Sequence, residues 1–181
     1  PPPARHLEMN GLRGGRRTAS PVRLTLCPAL GSDIDGAWWP HTGSVARELA
    51  ELIESLHPAL GEVVDININW SATAGAPVLN TMSAGHMAKM GWSDRGQRLM
   101  VVVGKIARAR LLVIPHTTAA PLARMVLRRA CGMPIPVADQ DSSEFQTADR
   151  VVRSAEAESA AWAAREADGP TTPENTRAGT A

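Results

Sequence analysis

The sequence predicts an α+β fold, a mostly antiparallel sheet of about six strands covered on one face by two helices, between disordered ends. Three observations predict it. Apolar and polar residues alternate at the two-residue period of a strand, most clearly where Val64, Ile66, Ile68 and Trp70 interleave with Asp65, Asn67 and Asn69. Two other stretches, residues 45–56 and 122–130, place apolar residues at helical spacing instead. The strand-like segments between residues 62 and 114 have short connections, which favour antiparallel neighbours. A partly closed barrel is the alternative arrangement.

Composition sets the frame for these elements. A chain of 181 residues fits one domain with tails. At 44% hydrophobic it can build a core. With one phenylalanine and no tyrosine, that core has to rest on Val, Leu, Ile, Met and Ala. The expected organisation is a basic arm over residues 1–20, a core domain over 21–133, and a linker, alanine-rich helix and acidic tail over 134–181. The arm has four arginines and one glutamate, and residues 137–181 have four arginines and nine acids. The net charge of +1 argues against nucleic acid as a partner.

In order along the chain, Val22, Leu24 and Leu26 alternate with Arg23 and Thr25 as a half-buried strand, ended by Cys27-Pro28. Ser44 is placed to cap a first helix whose apolar face is Val45, Leu49, Leu52, Ile53 and Leu56. His57-Pro58 is expected to stop it. The strand of Val64 to Trp70 follows, then a small-residue loop and two short strands at residues 78–81 and 86–92. Residues 99–103 and 108–114 form the last strand pair, around Gly104-Lys105. Thr118 is expected to cap a second helix, with Pro121 in its first turn and Gly132 at its end. Its apolar stripe is Leu122, Met125, Val126 and Ala130, and Arg124, Arg128 and Arg129 make the other face basic. Residues 148–167 have good helix propensity but a thin apolar stripe, so the segment is expected either to dock weakly or to be a partly formed helix. A domain of residues 21–133 is therefore expected to fold alone.

The least generic stretch is Asp33-Ile34-Asp35-Gly36-Ala37-Trp38-Trp39-Pro40-His41. Neighbouring residues in an extended chain point to opposite faces, so the two tryptophans are expected to do different jobs. Trp38 is expected to point inward and Trp39, before Pro40, to sit at the surface rim. As architecture, the stretch is a tryptophan-anchored entry into the first helix, with the carboxylates serving turns. As a site, it is a pocket with candidate ligand-binding residues Asp33, Asp35, Trp38, Trp39, His41 and Trp70.

Flanked by Arg23-Leu24-Thr25-Leu26, with Ile66-Asn67-Ile68-Asn69-Trp70 and Leu111-Leu112-Val113-Ile114-Pro115 further on, this stretch is similar to the "RL.L.P…DGAWWP" pattern of an uncharacterised actinobacterial domain family. The resemblance spans about residues 21–131. Where the family places a phenylalanine or tyrosine after paired glycines, this chain has Gly91-Trp92 after Met90. The resemblance implies a fold and brings no activity with it.

No phosphate-cradling glycine loop, dinucleotide fingerprint or nucleophile elbow is present. The five histidines and two cysteines lack zinc-ligand spacing, so no metal or other cofactor is expected. Cys27 and Cys131 are read as two lone buried thiols rather than a disulfide. The N-terminal residues lack the apolar core of a signal peptide and no run reaches membrane-spanning length, so the expected location is the cytoplasm. The expected function is a non-enzymatic binding or interaction domain for a small molecule or a protein. The alternative is a small hydrolase or ligand-processing enzyme centred on Asp33, Asp35 and His41.

Overall fold

The computed structural model describes residues 21–69 and 98–169. Strands β1 (Leu24–Leu26), β2 (Gly36–Trp38), β3 (Val63–Asn69), β4 (Arg98–Gly104) and β5 (Arg108–Val113) form one open sheet, in the order β1-β2-β5-β4-β3. Helix α1 (Val45–Leu60) lies between β2 and β3 in sequence, and α2 (Ala120–Ala130) and α3 (Ser143–Ala167) follow β5. The expected class, α+β, holds. Its details differ: five described strands instead of six, three helices instead of two, and a sheet that does not close. The strands expected at residues 78–81 and 86–92 lie outside the described residues.

The sheet is mixed. β3 with β4, β4 with β5 and β1 with β2 are antiparallel. β2 with β5 is parallel, in the register Gly36 to Leu111, Ala37 to Leu112 and Trp38 to Val113. A parallel pair needs a long crossover, and here α1, β3 and β4 all lie between the two strands in sequence. β2 falls inside the tryptophan stretch, which reads as a loop because three residues are too few to show a period.

The helices cover both faces, where one was expected. On the first face, Leu52, Leu56 and Leu60 of α1 pack with Trp38, Met100, Val102, Ala109, Leu111 and Val113. On the second, α2 and α3 pack against Ile34, Ala37, Trp39, Leu99, Leu112 and Ile114. The strands that meet both helix layers are buried on both sides, and β4 accordingly reads as a continuous apolar run. β3, at the edge of the described sheet, keeps the alternation: Ile66 and Ile68 face α1, while Asp65 and Asn67 are exposed. Val64 departs from its expected face. The pairing shifts register between Val63 and Asp65, so Val63 packs inward and Val64 is left 57% exposed.

Helix α1 runs past the expected stop at Pro58 to Leu60. The cost of an interior proline is offset at the helix end. Leu60 is fully buried, its carbonyl accepts from Ile106 N–H at 3.0 Å, and Gly61 closes the helix at φ 72° with its N–H on His57 O. Helix α2 is flanked by Ala119 rather than by the expected cap Thr118, which is buried. The apolar stripe of α2 is as expected, with Ala123 added.

Helix α3 docks firmly, against expectation. It starts at Ser143, and the Ser142 hydroxyl caps it by accepting from Phe145 N–H at 3.1 Å. Ala148, Val151, Val152 and Ala155 are buried against the second face, and Trp162 is half-buried there. Small residues let α3 lie close to α2, so a thin stripe still makes a tight contact. Arg129 of α2 pairs with Asp149 of α3 at 2.7 Å, which joins the two helices.

Candidate functional site

The tryptophan stretch is built outward from Asp35. Its carboxylate is buried at 1% exposure and accepts three backbone N–H groups. Oδ1 takes Gly31 at 2.7 Å and Ser32 at 2.9 Å, and Oδ2 takes Arg110 at 2.9 Å. The Asp35 backbone is equally committed, donating to Arg110 O at 2.8 Å and accepting from Cys27 N–H at 2.8 Å. One side chain therefore holds the β1–β2 loop closed and fixes that loop to β5. A buried carboxylate is tolerated because charge-assisted hydrogen bonds satisfy it.

Each following residue has a packing role. At Gly36 a Cβ would stand 2.2 Å from Thr25 O, so only glycine allows β1 to approach this closely. Ala37 is fully buried against the α2–α3 side. Trp38 fills the α1 side at 1% exposure, as expected of the inward residue. Trp39 is not at the rim: it is 7% exposed and belongs to the opposite core. Strand alternation at β2 sends the two rings to the two faces. The Trp39 indole N–H finds no acceptor among the described residues. Arg23 covers Trp39 from β1, with Nε donating to Trp39 O at 3.0 Å and an Nη donating to Pro40 O.

The loop beyond Pro40 is organised by Glu48, in the first turn of α1. Its carboxylate accepts from His41 N–H at 2.8 Å, Thr42 N–H at 2.6 Å and the Thr42 hydroxyl at 2.7 Å. Burial pushes the Glu48 carboxyl up, but these hydrogen bonds and the nearby His41 outweigh it and hold its pKa below the ordinary glutamate range. Burial lowers Arg23, and the charge of Glu48 acts against that shift.

The described candidate residues lie in different surroundings. Asp33 is exposed on the loop. Asp35 is consumed by backbone donors, and the tryptophans are on opposite faces of the sheet. His41 is exposed, with Nε2 3.1 Å from Pro21 O. Trp70 lies outside the described residues. The described residues hold no group of three or more His, Cys, Asp or Glu arranged for a metal, and none of their helices is long and apolar enough to cross a membrane.

A concave surface lies elsewhere, in a groove of about 280 Å³ between α2 and the start of α3. Arg124, Met125 and Arg128 form one wall, and Pro136, Asp139 and Glu144 belong to the other. The basic face of α2 was visible in the sequence. Its opposite wall was not, because residues 133–146 carry no periodicity and only the docking of α3 brings them alongside.

Fold and loop together define a two-faced α+β domain built around a tryptophan-bearing inner strand of its sheet. The chain belongs to a family of unknown function, DUF5994, whose model matches residues 23–130. No curated protein and no solved structure matches it.

Proposed function

We propose that this protein is a non-enzymatic binding domain for a small ligand carrying a carboxylate or phosphate, held in the groove between α2 and α3. The observation that carries this reading is the pairing of concavity with charge. Arg124 and Arg128 stand one helical turn apart on a single wall, with Met125 between them as an apolar floor. Two guanidinium groups at that spacing suit an anionic group, and Asp139 and Glu144 on the facing wall suit a positively charged group on the same ligand. Arg128 is also braced by donating to Pro134 O at 3.2 Å.

The alternative of a hydrolase centred on Asp33, Asp35 and His41 has less support. A general base must be free to take a proton from substrate, and the Asp35 oxygens are already engaged by three N–H groups. A cytoplasmic location remains part of this proposal.

A thermal-shift screen over small carboxylates and phosphates tests the reading, since a ligand of the folded state raises its melting temperature. An anion that stabilises wild type should lose its effect on the Arg124→Ala, Arg128→Ala double variant and keep it on His41→Ala. Stabilisation that survives the double arginine change but disappears with His41→Ala would move the site back to the tryptophan loop.

A further inference from the structure

The two cysteines are joined. Cys27, just past β1, and Cys131, at the C-terminus of α2, form a disulfide across 104 positions with Cα atoms 5.0 Å apart. This corrects the expectation of two lone thiols, which rested on sequence distance and an assumed reducing compartment. Folding brings β1 and the end of α2 together because both pack beside β2.

We propose that the Cys27–Cys131 pair is a reversible redox switch, which clamps the end of α2 to the β1–β2 loop when oxidised and frees it, without unfolding the domain, when reduced. Three observations support this. Both cysteines are partly exposed, and their neighbours Pro28, Ala29, Gly132 and Met133 are exposed, so a thiolate can reach a sulfur in the folded chain. Neither hydrophobic core includes a cysteine, so the two helix layers keep their packing after reduction. Each side of the clamp also has its own attachment: Asp35 closes the loop, and Leu122, Val126 and the Arg129–Asp149 pair hold α2. What reduction removes is the link between them.

The chemistry is thiol–disulfide exchange with a dithiol. Its thiolate bonds to one cysteine sulfur and the other cysteine leaves as a thiolate, which takes a proton. The second thiol of the reductant then attacks the mixed disulfide, freeing the remaining cysteine and closing the reductant's own disulfide. The protein gains two electrons and two protons, and the dithiol loses the same. A small-molecule disulfide drives the reverse reaction. In a reducing cytosol the switch would stand open until an oxidant closed it.

The test treats the native full chain with dithiothreitol, followed by thiol alkylation with mass detection, circular dichroism and amide hydrogen exchange. Both cysteines should become alkylated while the spectrum stays native. Exchange should rise roughly tenfold or more in residues 27–35 and 128–136 and stay unchanged in β4 and β5. Oxidised glutathione should restore the original protection. A Cys27→Ser, Cys131→Ser variant should show the reduced pattern and ignore dithiothreitol. Reduction only at the rate of global unfolding, loss of the native spectrum on reduction, failure to re-form the bond, or oxidised-like protection in the double variant would each overturn the switch and leave a plain structural crosslink.

Discussion

The guanidinium carbon of Arg23 lies 3.5 Å from the centroid of the Trp39 ring, while the same side chain donates to the carbonyls of Trp39 and Pro40. The Trp39 N–H in turn donates to Arg23 O at 2.8 Å, so the two residues hold each other by backbone and by side chain. A flat, weakly hydrated cation is suited to such a position, because it can stack and donate at once. Arg23→Lys keeps the charge but loses the plane and the fork, and should cost about 1–2 kcal/mol in urea unfolding. A lysine variant as stable as wild type would mean that charge alone suffices there.

Gly36→Ala tests the closeness of β1 and β2. The added methyl would meet Thr25 O at 2.2 Å and the Leu26 Cα at 3.2 Å, and both are backbone atoms of the paired strand. Neither can swing aside as a side-chain tip can. The expected loss is about 2 kcal/mol or more, seen as a lower midpoint at an unchanged denaturant slope. A midpoint equal to that of wild type would show that β1 is loosely held.

Asp35→Ala leaves three N–H groups, those of Gly31, Ser32 and Arg110, without their acceptor. Their loss should cost about 3 kcal/mol or more. Asp35→Asn should also destabilise, since its NH₂ group turns a donor towards at least one of those N–H groups. A ligand-binding carboxylate would behave differently, with binding lost and the melting temperature kept. Thermal unfolding of both variants separates the two roles.

The sequence made some of this legible. Helical spacing marked the buried stripes of α1 and α2, because a single face of each is apolar. Alternation marked Ile66 and Ile68, because β3 lies at one edge of the described sheet with one face open. The rarity of the Asp35–Pro40 string marked a special place, but its role was hidden. Asp35 is partnered in part by Arg110, far away in sequence, and nothing local announces that contact. Trp39 is buried through the docking of α2 and α3, and a tail with a thin apolar stripe gave little sign of a second helix layer. The disulfide was hidden for the same reason, as topology rather than spacing brings its halves together.

Glu48 makes a prediction about acid. Its folded pKa lies below the unfolded value, so the stabilisation it gives is full above the unfolded pKa of about 4.3 and disappears as pH falls through the folded pKa. Glu48→Gln retains an acceptor but not the charge. Wild type should therefore be the more stable at about pH 6, and the gap between the two melting temperatures should close towards about pH 3. A gap that stayed constant across that range would mean that protonation of Glu48 is not coupled to folding.

The strongest contrast with the sequence concerns α3. Residues 21–133 hold every described strand, α1 and α2, and a domain of that length was expected to fold by itself. The structure places Ala148, Val151, Val152 and Ala155 in the same core as Trp39, Leu112 and Val126. Ending the chain before Ser143 would bare that face of α2 and remove a helix packed on the sheet. Exposed apolar area of that kind costs about 25 cal/mol per Å², enough to exceed the margin of an ordinary domain. The truncated chain should lose cooperative thermal unfolding. Val152→Asp in the full chain should move in the same direction, since it sets an unpaired charge in that core. If the truncated chain instead unfolds in one sharp transition near the wild-type midpoint, the α1 face alone sustains the fold, and α3 contributes only the groove wall.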